Sequence, residues 1–224
     1  MILYKDKPEV KHRNKDDYQK VLQEIASFLN KYESDKSFLK KKMLRGIIEE
    51  KKRHESNHDN CGRNNTDSNR ITEKRICRCM FYYNDDDKKC NKCTQNSRWK
   101  NVGKIKINNY EFPTKHVIPG VGGMDLILDD KYACEVKPQA SEESLTRMFA
   151  ETLTYTQDCD QNYKPAICIF PGSKQMKDYK KYKSNPDFIT ISKFIKIFFF
   201  NIISEKDRII EFEIKPIALY TETT

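Results

Sequence analysis

The stretch from Gly120 to Pro138, GVGGMDLILDDKYACEVKP, constrains the fold of this chain more than any other. Three of the seven glycines in 224 residues fall at Gly120, Gly122 and Gly123. In a chain that otherwise avoids glycine, such a cluster marks backbone that turns tightly or approaches something closely. Two short apolar runs follow, 124–128 and 132–136, separated by Asp129, Asp130 and Lys131. The pattern predicts strand, polar turn, strand.

Side-chain alternation then groups Asp125 with Ile127 on one strand, and Ala133 with Glu135 and Lys137 on the next. A three-residue loop pairs Leu128 with Tyr132 and sets Asp125 opposite Glu135; a two-residue loop turns Glu135 to the other face. We expect the three-residue loop, which gathers two carboxylates and an ammonium on an otherwise apolar hairpin. Two acids that close repel, and one pKa rises unless a cation lies between them. Mg²⁺ or Mn²⁺, divalent and oxygen-seeking, suits such a pair. Lys137 is then placed to orient or activate a water, or to neutralise charge developing on a phosphate. The bland alternative is an exposed hairpin with a solvated Asp and a Glu/Lys surface pair. The glycines before the hairpin and the amphipathic helix expected after it favour the metal site.

Asp125 followed by Glu135-Val136-Lys137 resembles the PD-(D/E)XK nuclease superfamily over about residues 100–170. Met124 stands where that family often has Pro. The resemblance implies an α/β fold with a mixed sheet, a restriction-endonuclease-like αβββαβ core and metal-dependent phosphodiester hydrolysis. It implies catalytic roles for Asp125, Glu135 and Lys137, with Mg²⁺ or Mn²⁺ on Asp125, Glu135 and the Val136 carbonyl. A further Glu from a preceding helix often joins such sites, and Glu24, Glu49 and Glu50 are the candidates. Glu151-x3-Tyr155 is similar to the Gln-x3-Tyr helix of RecB-like members, with Glu in place of Gln. Gln139 is a further candidate, either touching substrate or supporting Lys137. The substrate expected is nucleic acid, DNA ahead of RNA. A scaffold that binds without cutting, or an accessory subunit of a larger complex, is the alternative.

Charge distribution agrees with a polyanion substrate. Residues 121–160 carry three Lys/Arg against nine Asp/Glu, net −6, so the rest of a chain of net charge +9 carries +15. An acidic patch framed by basic surface suits an enzyme that holds a polyanion around a metal. No long uncharged apolar run is present and the N-terminus has no signal-peptide pattern, so an intracellular protein without membrane contact is expected. In that compartment cysteines are thiols or metal ligands before they are disulfides.

Along the chain, residues 1–53 are expected to form N-terminal helices, 54–100 a flexible loop and a zinc-held insertion, and 101–224 the nuclease-like core. Val21, Leu22, Ile25, Phe28 and Leu29 form one helical stripe, and a second helix is expected over 35–53. Residues 54–74 are too polar to order themselves. Cys77, Cys79, Cys90 and Cys93 have spacing that suits structural Zn²⁺, with Cys61, His54 or His58 as possible replacements. Basic residues there, including Arg78 and Lys100, interleave with Phe81, Tyr82, Tyr83 and Trp99, a mixture suited to phosphate contact and base stacking. Lys104–Phe112 should form a strand or hairpin beside the Asp125 strand, and His116 is a further candidate near the glycine turn. After Lys137 a helix starting near Ser141 places Glu143, Arg147, Glu151 and Tyr155 on one face, either a solvated salt-bridge ladder or a face turned to nucleic acid. A buried strand over 165–170 and a basic helical segment carrying Lys177, Lys180 and Lys181 follow, the latter either solvated or tracking a phosphate backbone. A final hairpin is expected over 194–218.

Overall fold

The computed structural model of the protein describes residues 15–32, 73–82, 98–112, 124–157, 162–207 and 209–217. These residues form a mixed α/β fold around one seven-stranded sheet of order β1-β7-β6-β5-β4-β3-β2. The strands are β1 (Arg98–Asn101), β2 (Ile107–Phe112), β3 (Met124–Leu128), β4 (Tyr132–Val136), β5 (Lys164–Ile169), β6 (Lys196–Lys206) and β7 (Ile209–Pro216). The helices are α1 (Lys15–Tyr32), α2 (Glu73–Tyr82), α3 (Leu145–Gln157), α4 (Lys174–Tyr182) and α5 (Pro186–Phe194).

β2, β3 and β4 run as an antiparallel meander, α3 crosses over, and β5 returns parallel to β4. β6 continues parallel to β5, and β7 folds back antiparallel on β6. β4 and β5 are covered on both faces, which is why ACEV and AICI carry so little polar character. On one face α1, α3, α4 and α5 pack over Ile167, Ile169 and Ile197, with Leu22, Ile25, Leu145, Phe149 and Phe188 in the same cluster. On the other face Ile76, Cys77 and Met80 of α2 join Leu126, Leu128, Val136, Phe198 and Phe212. Helix α2 touches β1, β2 and β3.

The meander's register is set at the β3–β4 turn. Leu128 pairs with Tyr132 and Leu126 with Cys134, so the loop has the expected three residues, 129–131. Asp129 (φ 51°) and Asp130 (φ 50°) both adopt the left-handed region, which short polar side chains tolerate better than bulky ones. The Lys106 N–H donates to Asp129 Oδ1 at 2.8 Å, and Asn108 Nδ2 donates to Asp130 Oδ2 at 2.7 Å. The start of β2 and the residue before it therefore hold the turn whose length decides which way Glu135 faces.

Two parts of the fold differ from expectation. Residues 73–82 and 98–100, expected within the zinc-held insertion over 54–100, supply α2 and most of β1 to the main sheet domain. Trp99 is likewise a core residue, edge-on to Phe170 and Phe212, because β1 pairs with β7 and directs its ring inward. Helix α5 was not foreseen; Asn185 caps it, accepting from the N–H groups of Asp187 and Phe188, and Pro186 starts it. The helix expected over 35–53 lies outside the described residues. Among the described residues no helix is long and apolar enough to cross a membrane.

Candidate metal centre and its lysine

Extending the β3–β4 register by one pair sets Asp125 opposite Glu135, and both are nearly buried. Their strand neighbours Ile127 and Ala133 pack with Tyr155 of α3, so the acids are on the side of the hairpin that faces α3. Asp125 is held by the Val136 N–H, which donates to its Oδ2 at 2.7 Å. From the other layer, the first residue of α2 brings in Glu73. One carboxylate oxygen each from Glu73, Asp125 and Glu135 lies within 4.8 Å of the others.

Lys137, just beyond β4, is also buried. Its Nζ lies 2.5 Å from Glu135 Oε1, 3.0 Å from Glu73 Oε2, 3.1 Å from Glu151 Oε2 and 3.4 Å from Glu143 Oε2. Arg147 Nε lies 3.1 Å from Glu151 Oε1 and 3.4 Å from Glu143 Oε2. Five carboxylates against two cations leave three negative charges uncompensated when all are ionised.

The protonation equilibria reflect that surplus. Burial pushes Asp125 well above the usual carboxylate range, with Glu73 adding to the effect; Lys137 and the Val136 N–H oppose it. Burial and then Asp125 push Glu135 up in the same way. For Lys137 desolvation works against the charged form, but the surrounding carboxylates, Glu135 foremost, outweigh it and hold the amine protonated. An ammonium so held donates hydrogen bonds and supplies positive charge. Of the sequence-level options for Lys137, orienting a water or neutralising a phosphate fits this state.

The trio suits a hard divalent ion. Mg²⁺ binds oxygen at about 2.0–2.1 Å and so spans oxygens up to about 4.2 Å apart, which shifts of a few tenths of an ångström would satisfy here. The all-oxygen donor set and the net negative charge fit Mg²⁺ or Mn²⁺ rather than a thiophilic metal.

The remaining expected site residues are placed as follows. Gln139 is exposed, with its Nε2 lying against Gly172 rather than Lys137. Glu24 is on α1, in the layer over Ile167 and Ile197, and Glu49, Glu50 and His116 lie outside the described residues. Glu73 is the acid that sequence reasoning missed. Its signal is the spacing of Ile76, Cys77 and Met80, one helical stripe that the cysteine pattern obscures.

Arg147 and Glu151 join the site, but their ladder faces Lys137 instead of solvent. Tyr155 is only 1% exposed and packs under the hairpin, so it is not available for contact with nucleic acid. Arg78 is half-buried on α2, and Lys100 is exposed on β1, bound to Glu211 at 3.0 Å. Lys177, Lys180 and Lys181 are exposed on α4.

Of the four cysteines expected to share a zinc ion, Cys77 and Cys79 lie among the described residues. A helix advances about 100° per residue, so Cys77 and Cys79 on α2 point about 200° apart. Cys77 is buried between α2 and the sheet, where burial, then Asp125, pushes its thiol well above the ordinary range. Cys79 instead accepts the Trp99 N–H at 3.4 Å through its Sγ. Cys90, Cys93, Cys61, His54 and His58 lie outside the described residues. No protein-family model, curated protein or solved structure matches the chain.

Proposed function

We propose that the protein is a nuclease of the PD-(D/E)XK type that hydrolyses phosphodiester bonds of nucleic acid, DNA ahead of RNA, with a divalent cation. The observation that carries this reading is the convergence of Glu73, Asp125 and Glu135 beside the buried ammonium of Lys137. The order of elements supports it: a β2–β3–β4 meander, the α3 crossover and a parallel β5 correspond to the βββαβ part of the core that the resemblance implies. Helix α2, preceding the meander and supplying Glu73, stands where that core has its first helix and the further glutamate.

Glu73, Asp125 and Glu135, with the Val136 carbonyl, would hold Mg²⁺ or Mn²⁺. Such an ion supplies Lewis-acid polarisation of a phosphate and neutralises charge on the leaving oxygen. The Val136 N–H fixes the Asp125 carboxylate. Lys137, kept protonated by its carboxylates, is placed to donate a hydrogen bond to an attacking water or a phosphate oxygen. Exposed Lys177, Lys180 and Lys181 on α4 offer charge for the phosphate backbone. Structural Zn²⁺ on Cys77, Cys79, Cys90 and Cys93 stays outside this proposal: α2 turns Cys77 and Cys79 to different sides, and Cys90 and Cys93 lie outside the described residues.

Incubation with fluorescein-labelled single- and double-stranded DNA and RNA, in MnCl2 or in EDTA, tests the reading. Metal-dependent cleavage that Asp125→Asn abolishes is the expected result. Absence of cleavage on all four substrates would overturn it, and binding without cleavage would favour the non-cutting scaffold.

A further inference from the structure

The five carboxylates around Lys137 are not equivalent. Glu73, Asp125 and Glu135 bring one oxygen each within 4.8 Å of one another, and neither Glu143 nor Glu151 belongs to that group. Glu151 is 4% exposed at its side chain and both its oxygens are engaged by cations, Oε1 by Arg147 at 3.1 Å and Oε2 by Lys137 at 3.1 Å. Glu143 meets the same two cations through Oε2, each at 3.4 Å. With both oxygens on cations, Glu151 is a poor ligand for a further ion, and Glu143 shares the same ammonium and guanidinium.

Both glutamates are also fixed by their backbone. Glu151 lies within α3, whose Thr152 donates from Oγ1 to the Ala133 carbonyl at 3.0 Å and accepts the Ala166 N–H at 3.2 Å, tying the helix to β4 and β5. Glu143 immediately precedes Ser144, whose Oγ accepts the Arg147 N–H at the helix start. Buried Gln175 of α4 donates from Nε2 to the Glu143 carbonyl at 2.7 Å and the Ser141 carbonyl at 3.4 Å. Helix α4 is in turn anchored by Ser173, which caps it and donates to the Phe170 carbonyl at the end of β5. Helix α3 thus presents Glu151 to the lysine, and the loop before it, held to α4 through Gln175, presents Glu143.

We propose that the cluster divides its labour: Glu73, Asp125 and Glu135 hold the cation, while Glu143 and Glu151, braced by Arg147 and Gln175, are positioning residues that hold Lys137 where it acts. This rests on the nuclease reading for its catalytic consequence, but not for its structural one. It predicts that loss of either glutamate of the second group leaves metal binding in place and misdirects the ammonium.

The test compares Glu143→Gln, Glu151→Gln, Glu73→Gln and Glu135→Gln in the full chain by three measurements. The first is the thermal shift produced by MnCl2. The second is cleavage kinetics on the labelled DNA and RNA. The third is the NMR signal of the Lys137 side-chain ammonium, observable because the group is buried. Glu143→Gln and Glu151→Gln should keep the Mn²⁺ shift, move or broaden the Lys137 signal, and lower kcat about 10- to 100-fold at unchanged KM. Glu73→Gln and Glu135→Gln should lose the Mn²⁺ shift. If Glu151→Gln loses that shift as Glu135→Gln does, or if both second-group variants leave the Lys137 signal unmoved, the division of labour is wrong. Should the wild-type protein cut nothing, the nuclease reading fails by itself and the Mn²⁺ and NMR measurements still decide this one. If Glu151→Gln does not fold, the more exposed Glu143→Gln carries the same comparison.

Discussion

Asp125→Asn should raise the stability of the metal-free protein while destroying its response to metal. Asp125 is 8% exposed, and burial together with Glu73 already disfavours its charge. Asn has the same shape and keeps an oxygen for the Val136 N–H, so the 2.7 Å hydrogen bond survives and one unit of repulsion disappears. Single stabilising substitutions commonly gain about 0.5–2 kcal/mol, often at a cost in function. For a chain of this size 1 kcal/mol moves Tm by about 2–4 °C, so the variant should melt about 1–8 °C higher in EDTA. In MnCl2 at about 100 times Kd, the wild type should gain about 2.7 kcal/mol, or about 5–11 °C. The variant, lacking one of three ligands, should gain little, and the order of the two proteins reverses. Scanning calorimetry in EDTA and in MnCl2 measures both. A variant that melts well below the wild type in EDTA, or one that keeps the full Mn²⁺ shift, would refute the idea that Asp125 is a strained ligand.

Replacing Lys137 should behave in the opposite way. Lys137→Met leaves several buried carboxylates without their counter-ion, and urea denaturation in EDTA should show a loss of about 3–5 kcal/mol. Little destabilisation would contradict the buried cage. Because Asp125 and Glu135 are pushed up, the folded state binds their protons more tightly than the unfolded chain does. Their contribution is therefore complete below the ordinary carboxylate range of about pH 4 and is lost as pH rises through the raised folded values. The metal-free protein should gain less from rising pH than other acids would give it, and MnCl2 should restore the difference, as denaturation between pH 5 and 8 would reveal. Thr152→Val removes a buried hydroxyl that serves the Ala133 carbonyl and the Ala166 N–H, and should cost about 1–3 kcal/mol for each group left unsatisfied. Asp130→Val places a β-branched residue at φ 50° and should cost about 1–2 kcal/mol; equal stability would mean that the turn rearranges.

Period-two alternation and a polar break were enough to read the 124–136 hairpin from the sequence. The pattern left a two- and a three-residue loop open, and only the longer one, which pairs Leu128 with Tyr132, sets Asp125 opposite Glu135. The strand after α3, the basic helix and the closing hairpin were legible for the same reason: their apolar spacing is local and their ends carry turn residues or caps. Tertiary structure alone decided what surrounds Lys137. Glu73 is 64 positions away in the chain, and its place on the Ile76, Cys77 and Met80 stripe marks an inward face without showing what that face meets. The same holds for Glu143, Arg147 and Glu151, whose i,i+4 spacing fits a solvated ladder or a buried one equally well. Spacing describes one element, whereas burial and charge compensation depend on which other elements close over it. For Cys77 and Cys79 the local conformation was the missing fact: a helix over 73–82 turns residues two positions apart toward different sides.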